Sequence, residues 1–525
     1  MSEREPDRGG WRPHANPWLI AVVVTGAAFM EILDTTIVNV SLRHIAGSMS
    51  VSYDDATWSL TSYLVANGVV LTISGWLARV LGRKRYFLIC VAMFAVASLL
   101  CGLSQNLTEL MLFRTMQGFF GGGLQPTQQS ILLDTFGPSQ RTRAFGLTAV
   151  ATVVAPAIGP ALGGWITDNY SWPWIFFINV PIGALMFFAV MELVEDPPWT
   201  RAQGLHHIDV VGLSLIALGL GCLQIMMDRG EDEDWFGSHF IIVTTCLAAF
   251  GILGAVAWLL HERRPVINIR VLGDPNFAMA SLLMACMAFI LYGSVVALPQ
   301  LTQQVLGYNA TLAGLVLSPG AALLIVLIPI VASLQRIVAT KYIIAIGFAI
   351  IGLAMFYSHR IAPDVSFGEL VIIRSAQAAG LAFLFSPLTT IAFVNISRED
   401  NGDASALFTM FRNVSGSIGV SLTTAMVVEH TQTHMAYLAE HTTPLDRGYM
   451  VTLHQYQHAL AAQGGHLGGP PGQTALGLLY QAFQSQAQIL AYADIFALAG
   501  ILALCAVPIT FFLTSRTADE APAVG

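Results

Sequence analysis

Of 525 residues, 55% are apolar and 11% charged, against roughly 25% charged in soluble domains. That balance excludes an ordinary water-soluble globule, and a net charge of −8 lends no support to nucleic-acid binding. Apolar runs recur at the length, about 20 residues, that carries a helix across the hydrocarbon core of a bilayer.

In chain order, residues 1–17 (MSEREPDRGGWRPHANP) are polar and Pro/Gly-rich. They lack the short apolar core and small-residue cleavage site of a signal peptide, and read as a cytoplasmic tail. Apolar spans follow at 18–40, 57–77, 86–104, 109–131, 144–166, 174–193 and 209–227. Seven more lie at 239–260, 277–298, 311–334, 341–358, 368–394, 404–428 and 490–514. They predict an all-α integral membrane protein of 14 transmembrane helices, because a β-barrel would instead alternate polar and apolar residues. Residues 515–525 form a second tail.

Arg and Lys favour cytoplasmic loops. With the N-terminus inside, only Arg43, Arg229, Arg360 and Arg447 of those outside the spans fall on the external side, while Arg114, Arg374 and Arg412 lie within spans. Both termini are therefore expected to be cytoplasmic. The acidic run Asp228–Asp234 (DRGEDED) and the stretch 429–489 are then external. That stretch reads as a solvated periplasmic loop. It carries His430, His434, His441, His454, His458 and His466, whose i, i+4 pairs His430/His434 and His454/His458 leave metal binding open, though no metal site is assigned. The six cysteines fall inside spans without metal-type spacing and read as small apolar packing residues.

The chain repeats itself. Arg114, Gln117, Gly118 and Pro126 in LFRTMQGFFGGGLQPTQQSI are echoed by Arg374, Gln377, Gly380 and Pro387 in IIRSAQAAGLAFLFSPLTTI. LARVLGRKRY, from Leu77, is echoed by LQRIVATKY, from Leu334, at nearly the same separation. Two six-helix bundles follow, 18–193 and 277–514, joined by a linker region 194–276 holding two extra spans.

Glu31 and Asp34, mid-span at i, i+3, share one helix face, where an ionised carboxylate costs roughly 2.5–3.5 kcal/mol. They are candidate proton-coupling residues with Arg114 as the charge that resets them; the alternative is a permanent ion pair that pins helices. At the same repeat offset Glu31 and Asp34 map onto Leu291 and Ser294, so coupling is assigned to the first half. Gln117, Arg374, Gln377 and Arg412 are candidates for a substrate cavity, with neutralisation at helix ends or by carbonyls equally open for the two arginines. The chain carries no G-x-x-x-x-G-K-[ST] or HExxH motif. A secondary active transporter is expected rather than an enzyme, with no cofactor.

LDTTIVNVSL (Leu33–Leu42), GWLARVLGRK (Gly75–Lys84), RTMQGFFGG (Arg114–Gly122) and APAIGPALGG (Ala155–Gly164) together resemble the major facilitator superfamily. The resemblance is to its fourteen-helix drug:H+ antiporter branch of the EmrB/QacA type. WPWIFFINVPIG, LQIMMDRGEDEDWF and LPQLTQQVLGYNATLAGL resemble EmrB-type members in particular. Arg79 stands where many members carry an aspartate, and Ala155 replaces the first glycine of the fifth-helix motif.

The resemblance implies a proton-coupled multidrug efflux antiporter exporting hydrophobic small molecules by alternating access, driven by the proton gradient. It also implies a bacterial inner membrane location, a periplasmic adaptor (membrane fusion) protein and an outer-membrane channel. Gly75, Arg79, Gly82, Arg83 and Lys84 would then act at the cytoplasmic gate, with a role of the cations in fixing topology alone equally open. Gly159, Pro160, Gly163 and Gly164 would permit close approach and a local bend in the fifth span. The runner-up is a proton-coupled importer of a small metabolite.

Overall fold

The computed structural model describes residues 13–197, 209–262, 265–308, 310–335, 337–362, 365–397, 399–440, 447–462 and 471–514. All regular structure among them is helical, as a chain in lipid must satisfy its backbone groups internally. Several helices begin where the sequence signals a start. Asn16 caps α1 (Pro17–Met49) with Pro17 in the first turn, and Ser52 caps α2 (Tyr53–Leu81). Gly82, at φ +85°, turns the chain into α3 (Arg83–Leu103).

The fourth span is broken. α4 (Leu107–Gly121) stops at a glycine run, and α5 (Leu124–Thr135) resumes with Pro126 in its first turn. A Cβ at Gly118 or Gly122 would collide with the backbone carbonyls of Tyr63 or Asn67, so these glycines let α4 lie directly on α2. α6 (Pro138–Asn169) follows, and the sixth span starts with a short α7 (Trp174–Phe177) before α8 (Asn179–Leu193). The two inserted spans are α9 (Val210–Arg229) and α10 (His239–His261), which meet at Gly219 and Gly251. The second half contains α11 (Pro275–Gln300), α12 (Ala310–Leu334), α13 (Thr340–Ser358), α14 (Phe367–Ala392), α15 (Asn401–Glu440), α16 (Arg447–Ala462) and α17 (Pro471–Thr510).

The repeat seen in sequence recurs in packing. α1 with α6, α2 with α4 and α3 with α8 are matched by α11 with α15, α12 with α14 and α13 with α17. Two bundles result, facing each other through α2 against α15 and α6 against α12, while α9 lies on α2.

Among the described residues, 11 helices are long and apolar enough to cross a membrane. The other three expected spans fall on α4–α5, α6 and α15. There the glycine break, or buried polar residues such as Gln128, Gln129, Thr142, Thr152, Ser405 and Thr409, dilute the apolar run. The helices accommodate fourteen crossings, with α4–α5 and α7–α8 each making one and α16 none.

One expectation needs correction. The stretch 429–489, expected as a solvated loop with helical turns at most, is helical throughout its described parts, because α15 continues to Glu440, α17 starts at Pro471 and α16 lies against α17. The acidic run 228–234, expected to be external, is partly packed against the first bundle. Asp228 accepts a hydrogen bond from Thr61, and buried Arg229 donates to Thr57 at 2.6 Å and lies 4.9 Å from the Trp58 ring, so the run seals α9 onto α2.

Candidate functional site

The buried face of α1 presents both of its acidic residues to neighbouring helices of the first bundle. The Asp34 and Arg114 side chains have no solvent exposure, and Arg114 Nη1 donates to Asp34 Oδ2 at 2.7 Å. The other Asp34 oxygen accepts from Gln117 Nε2 at 3.0 Å and Asn179 Nδ2 at 2.6 Å. Gln117 Oε1 in turn accepts from Arg114 Nη1 at 2.7 Å, and the guanidinium lies 4.1 Å from the Tyr63 ring centre. The i, i+3 spacing of Arg114 and Gln117 on α4 aims both at one carboxylate. Burying two charges in a low dielectric requires this density of partners.

Glu31 is held differently. Oε1 accepts from Tyr63 Oη at 3.1 Å and Asn67 Nδ2 at 3.0 Å, and Oε2 accepts from Gln125 Nε2 at 2.5 Å. All three donors are neutral. The far end of Gln125 accepts a hydrogen bond from Arg412, on α15 of the opposite bundle. A chain Glu31–Gln125–Arg412 therefore crosses between the bundles. The arginine expected to serve both carboxylates bonds Asp34 alone, and Arg412 reaches Glu31 through an amide.

Further bonds join the bundles around this chain, toward the end of the molecule that carries the α2–α3 turn. Gln129 accepts from Thr409 at 3.1 Å, Ser130 donates to the Asn401 carbonyl at 3.4 Å, and Thr142 donates to Gln335 at 2.5 Å. At that end Arg79 pairs with Asp403, which also accepts from the Asn268 backbone N–H at 3.1 Å. Arg79 lies in the last turn of α2 and Asp403 in the first turn of α15, so each charge suits its helix dipole. A Cβ at Gly75 would lie 2.8 Å from Asp403 and Gly402, which explains why the motif needs glycine there.

Arg83 and Lys84 were expected to share this gate, but they stay inside the first bundle. Arg83 pairs with Asp134, and Lys84 Nζ donates to the Met191 carbonyl at 2.6 Å. In the fifth-helix motif Gly159 abuts Thr36, and a Cβ at Gly163 would lie 3.0 Å from the Ile37 carbonyl. Gly164 has ordinary clearance, 3.9 Å from Val40. α6 runs through position 160 unbroken, and the side chain of Pro160 lies outside the described residues.

Arg374 and Gln377 do not join the Asp34 group. Arg374 Nη1 donates to Gln377 Oε1 at 3.2 Å inside the second bundle, where no carboxylate pairs with it among the described residues. Ser294, the repeat counterpart of Asp34, lines instead a narrow apolar cleft with Phe289, Met355, Thr423, Met426 and Phe496. None of Gln117, Arg374, Gln377 and Arg412 lines this cleft.

Sequence reasoning missed Tyr63, Asn67, Gln125, Asn179 and Asp403. The polar run Gln125–Ser130 inside an otherwise apolar span was the signal available for one of them.

The profile of the Major Facilitator Superfamily matches residues 24–420. The chain is 34% identical over 513 residues to "Multidrug export protein EmrB" of Escherichia coli K12, covering 98% of this chain and 97% of that one. It is 37% identical to the Haemophilus influenzae protein of the same name, covering 81% and 83%. It is 33% identical to "Fatty acid resistance protein FarB" of Neisseria gonorrhoeae, covering 92% and 94%. In fold it resembles the human organic anion transporter MFSD10 (TETRAN), with a TM-score of 0.57 at 11% identity over 93% of this chain and 99% of that one. With its repeated bundles, its inserted helix pair and this likeness along nearly its whole length, the chain belongs to the major facilitator superfamily, among its EmrB-type members.

Proposed function

We propose that this protein is a proton-coupled multidrug exporter of hydrophobic small molecules, working by alternating access in a bacterial inner membrane with both termini cytoplasmic. The observation that carries the reading is the pair of buried carboxylates on α1, one closed by an ion pair within its bundle and one tied through Gln125 to the other bundle. Loss of the Asp34 charge leaves Arg114 a buried cation without its counter-ion, which favours rearrangement of α4 against α1. Loss of the Glu31 charge leaves only neutral donors around it and removes the attraction that holds Arg412 near α1. A proton arriving at Glu31 therefore loosens a contact between bundles, and the departing proton restores it. Binding energy passes between proton and drug only if each prefers one arrangement of the bundles.

The bonds joining the bundles lie toward the α2–α3 end, which the positive-charge bias makes cytoplasmic. This supports reading the present state as closed on the cytoplasmic side. The apolar cleft with Met355, Met426 and two phenylalanines suits ligands of varied shape, since methionine adapts its conformation. Likeness to EmrB supports a periplasmic adaptor and an outer-membrane channel as partners. The test is drug-driven proton release from protein in liposomes. Release in the wild type that is lost in Glu31→Gln and Asp34→Asn is expected. Release that persists in both variants sinks the assignment of the carboxylates. Drug uptake accompanied by proton entry in the same direction would indicate an importer.

A further inference from the structure

α15 and α17 are each 40 residues long, or about 60 Å, roughly twice the hydrocarbon core. α15 starts at the end of the molecule that carries the α2–α3 turn, so its later turns belong to the opposite rim. There His430 and His434, one turn apart on one face of α15, meet Asp494 of α17. His430 Nδ1 lies 3.0 Å and His434 Nε2 2.8 Å from the same oxygen, Asp494 Oδ2. The level in the fold is set by the preceding residue: the Ala493 carbonyl contacts His359, just past the end of α13, at 3.1 Å. All three side chains are between 23% and 35% exposed, so an ion can enter from solvent. Among the described residues this is the one group of three such donors whose ligand atoms converge, all lying within 4.8 Å of one another.

We propose that His430, His434 and Asp494 form a binding site for a zinc-class divalent ion that staples the external end of α15 to α17. Two imidazole nitrogens and one carboxylate oxygen are a borderline donor set that favours Zn2+ and its neighbours over Ca2+ or Mg2+, which take oxygen ligands. Metal–ligand distances of about 2.0–2.2 Å in a tetrahedron put ligand atoms about 3.3 Å apart, so small side-chain rotations open the cluster around an ion. Three protein ligands leave the fourth position to water. The i, i+4 histidines are placed by one rigid helix, and the carboxylate comes from a helix 60 residues further along the chain. An ion there closes the hairpin formed by the end of α15, α16 and the start of α17 at its base. The site is independent of the carboxylates on α1 and of the transport reading.

The test uses purified full-length protein, stripped with a chelator and titrated with Zn2+ alone by calorimetry. One ion per chain is expected, with affinity weakened by about tenfold or more in His434→Ala and in Asp494→Asn. Binding should be unchanged in His454→Ala/His458→Ala, whose histidines are exposed on α16. Zn2+ should raise the thermal midpoint of the wild type and not that of His434→Ala. Co2+ added to the wild type should give the visible absorption of a low-coordinate nitrogen and oxygen site, a readout that needs no variant to fold. A wild type that binds no Zn2+ would show two ordinary His–Asp hydrogen bonds and overturn the proposal. Binding that survives loss of His434 and Asp494, or that moves with His454 and His458, overturns it equally.

Discussion

Asp34 and Glu31 sit one helical turn apart, yet their surroundings give them different consequences on substitution. Asp34→Asn leaves Arg114 buried without a counter-charge, so it should destabilise the protein by about 3–5 kcal/mol and abolish drug-driven proton release. Asp34→Asn/Arg114→Gln removes the orphaned cation. It should recover much of the thermal stability while proton release stays absent, and thermal unfolding alongside the liposome assay separates the two roles. A double variant that exports normally would reduce the pair to a helix pin. Glu31→Gln keeps an acceptor for Tyr63 and Asn67, so its thermal midpoint should fall far less than that of Asp34→Asn. Its proton release should nonetheless be lost, and equal destabilisation of the two variants would contradict the geometry.

Between elements, small residues decide how closely helices approach. α4 lies on α2 through Gly118 and Gly122, where a Cβ would strike backbone rather than a movable side chain. Gly122→Ala should therefore cost about 1–3 kcal/mol, the usual range for overpacking, readable as a lowered midpoint in thermal unfolding. Gly164→Ala, with nothing closer than 3.9 Å, is the matched control and should be nearly neutral. The inserted helices are seated by polar anchors as well as by their apolar faces. Arg229 bonds Thr57 and stacks on Trp58, and Asp228 meets Thr61. The sequence does not reveal that the first two residues of the acidic run face α2.

At the scale of the whole molecule, the bundles meet through a polar seam whose outermost pair is Arg79 with Asp403. Reversal of either charge alone, Arg79→Asp or Asp403→Arg, should reduce export by at least about tenfold through like-charge contact and an unpaired buried group. The double reversal should restore part of it. Restoration stays incomplete because the swapped charges then oppose the dipoles of α2 and α15. Transport in a double-mutant cycle measures the coupling, and strictly additive losses would mean that the two residues do not act on each other. Arg79 takes its carboxylate partner, Asp403, from across the seam, with the polarity of the pair set by the two helix ends.

Apolar run length alone made the helical membrane class legible, because lipid forces each crossing to bond its own backbone over a known length, and the motif echoes at nearly constant separation made the duplication legible. Spacing on single helices likewise made Asp34, Glu31, Arg114 and Gln117 legible, since i, i+3 neighbours share a face whatever surrounds them. Partners contributed by other helices were not legible. Asn179 on Asp34, Gln125 between Glu31 and Arg412, Asp403 on Arg79 and Asp494 on the α15 histidines all come from segments distant in the chain. Periodicity tells which face of a helix is polar, but not which helix it meets. Only tertiary packing decided that Glu31 faces the seam and Asp34 its own bundle, because the rotation of each helix is set by its close neighbours rather than by its own sequence.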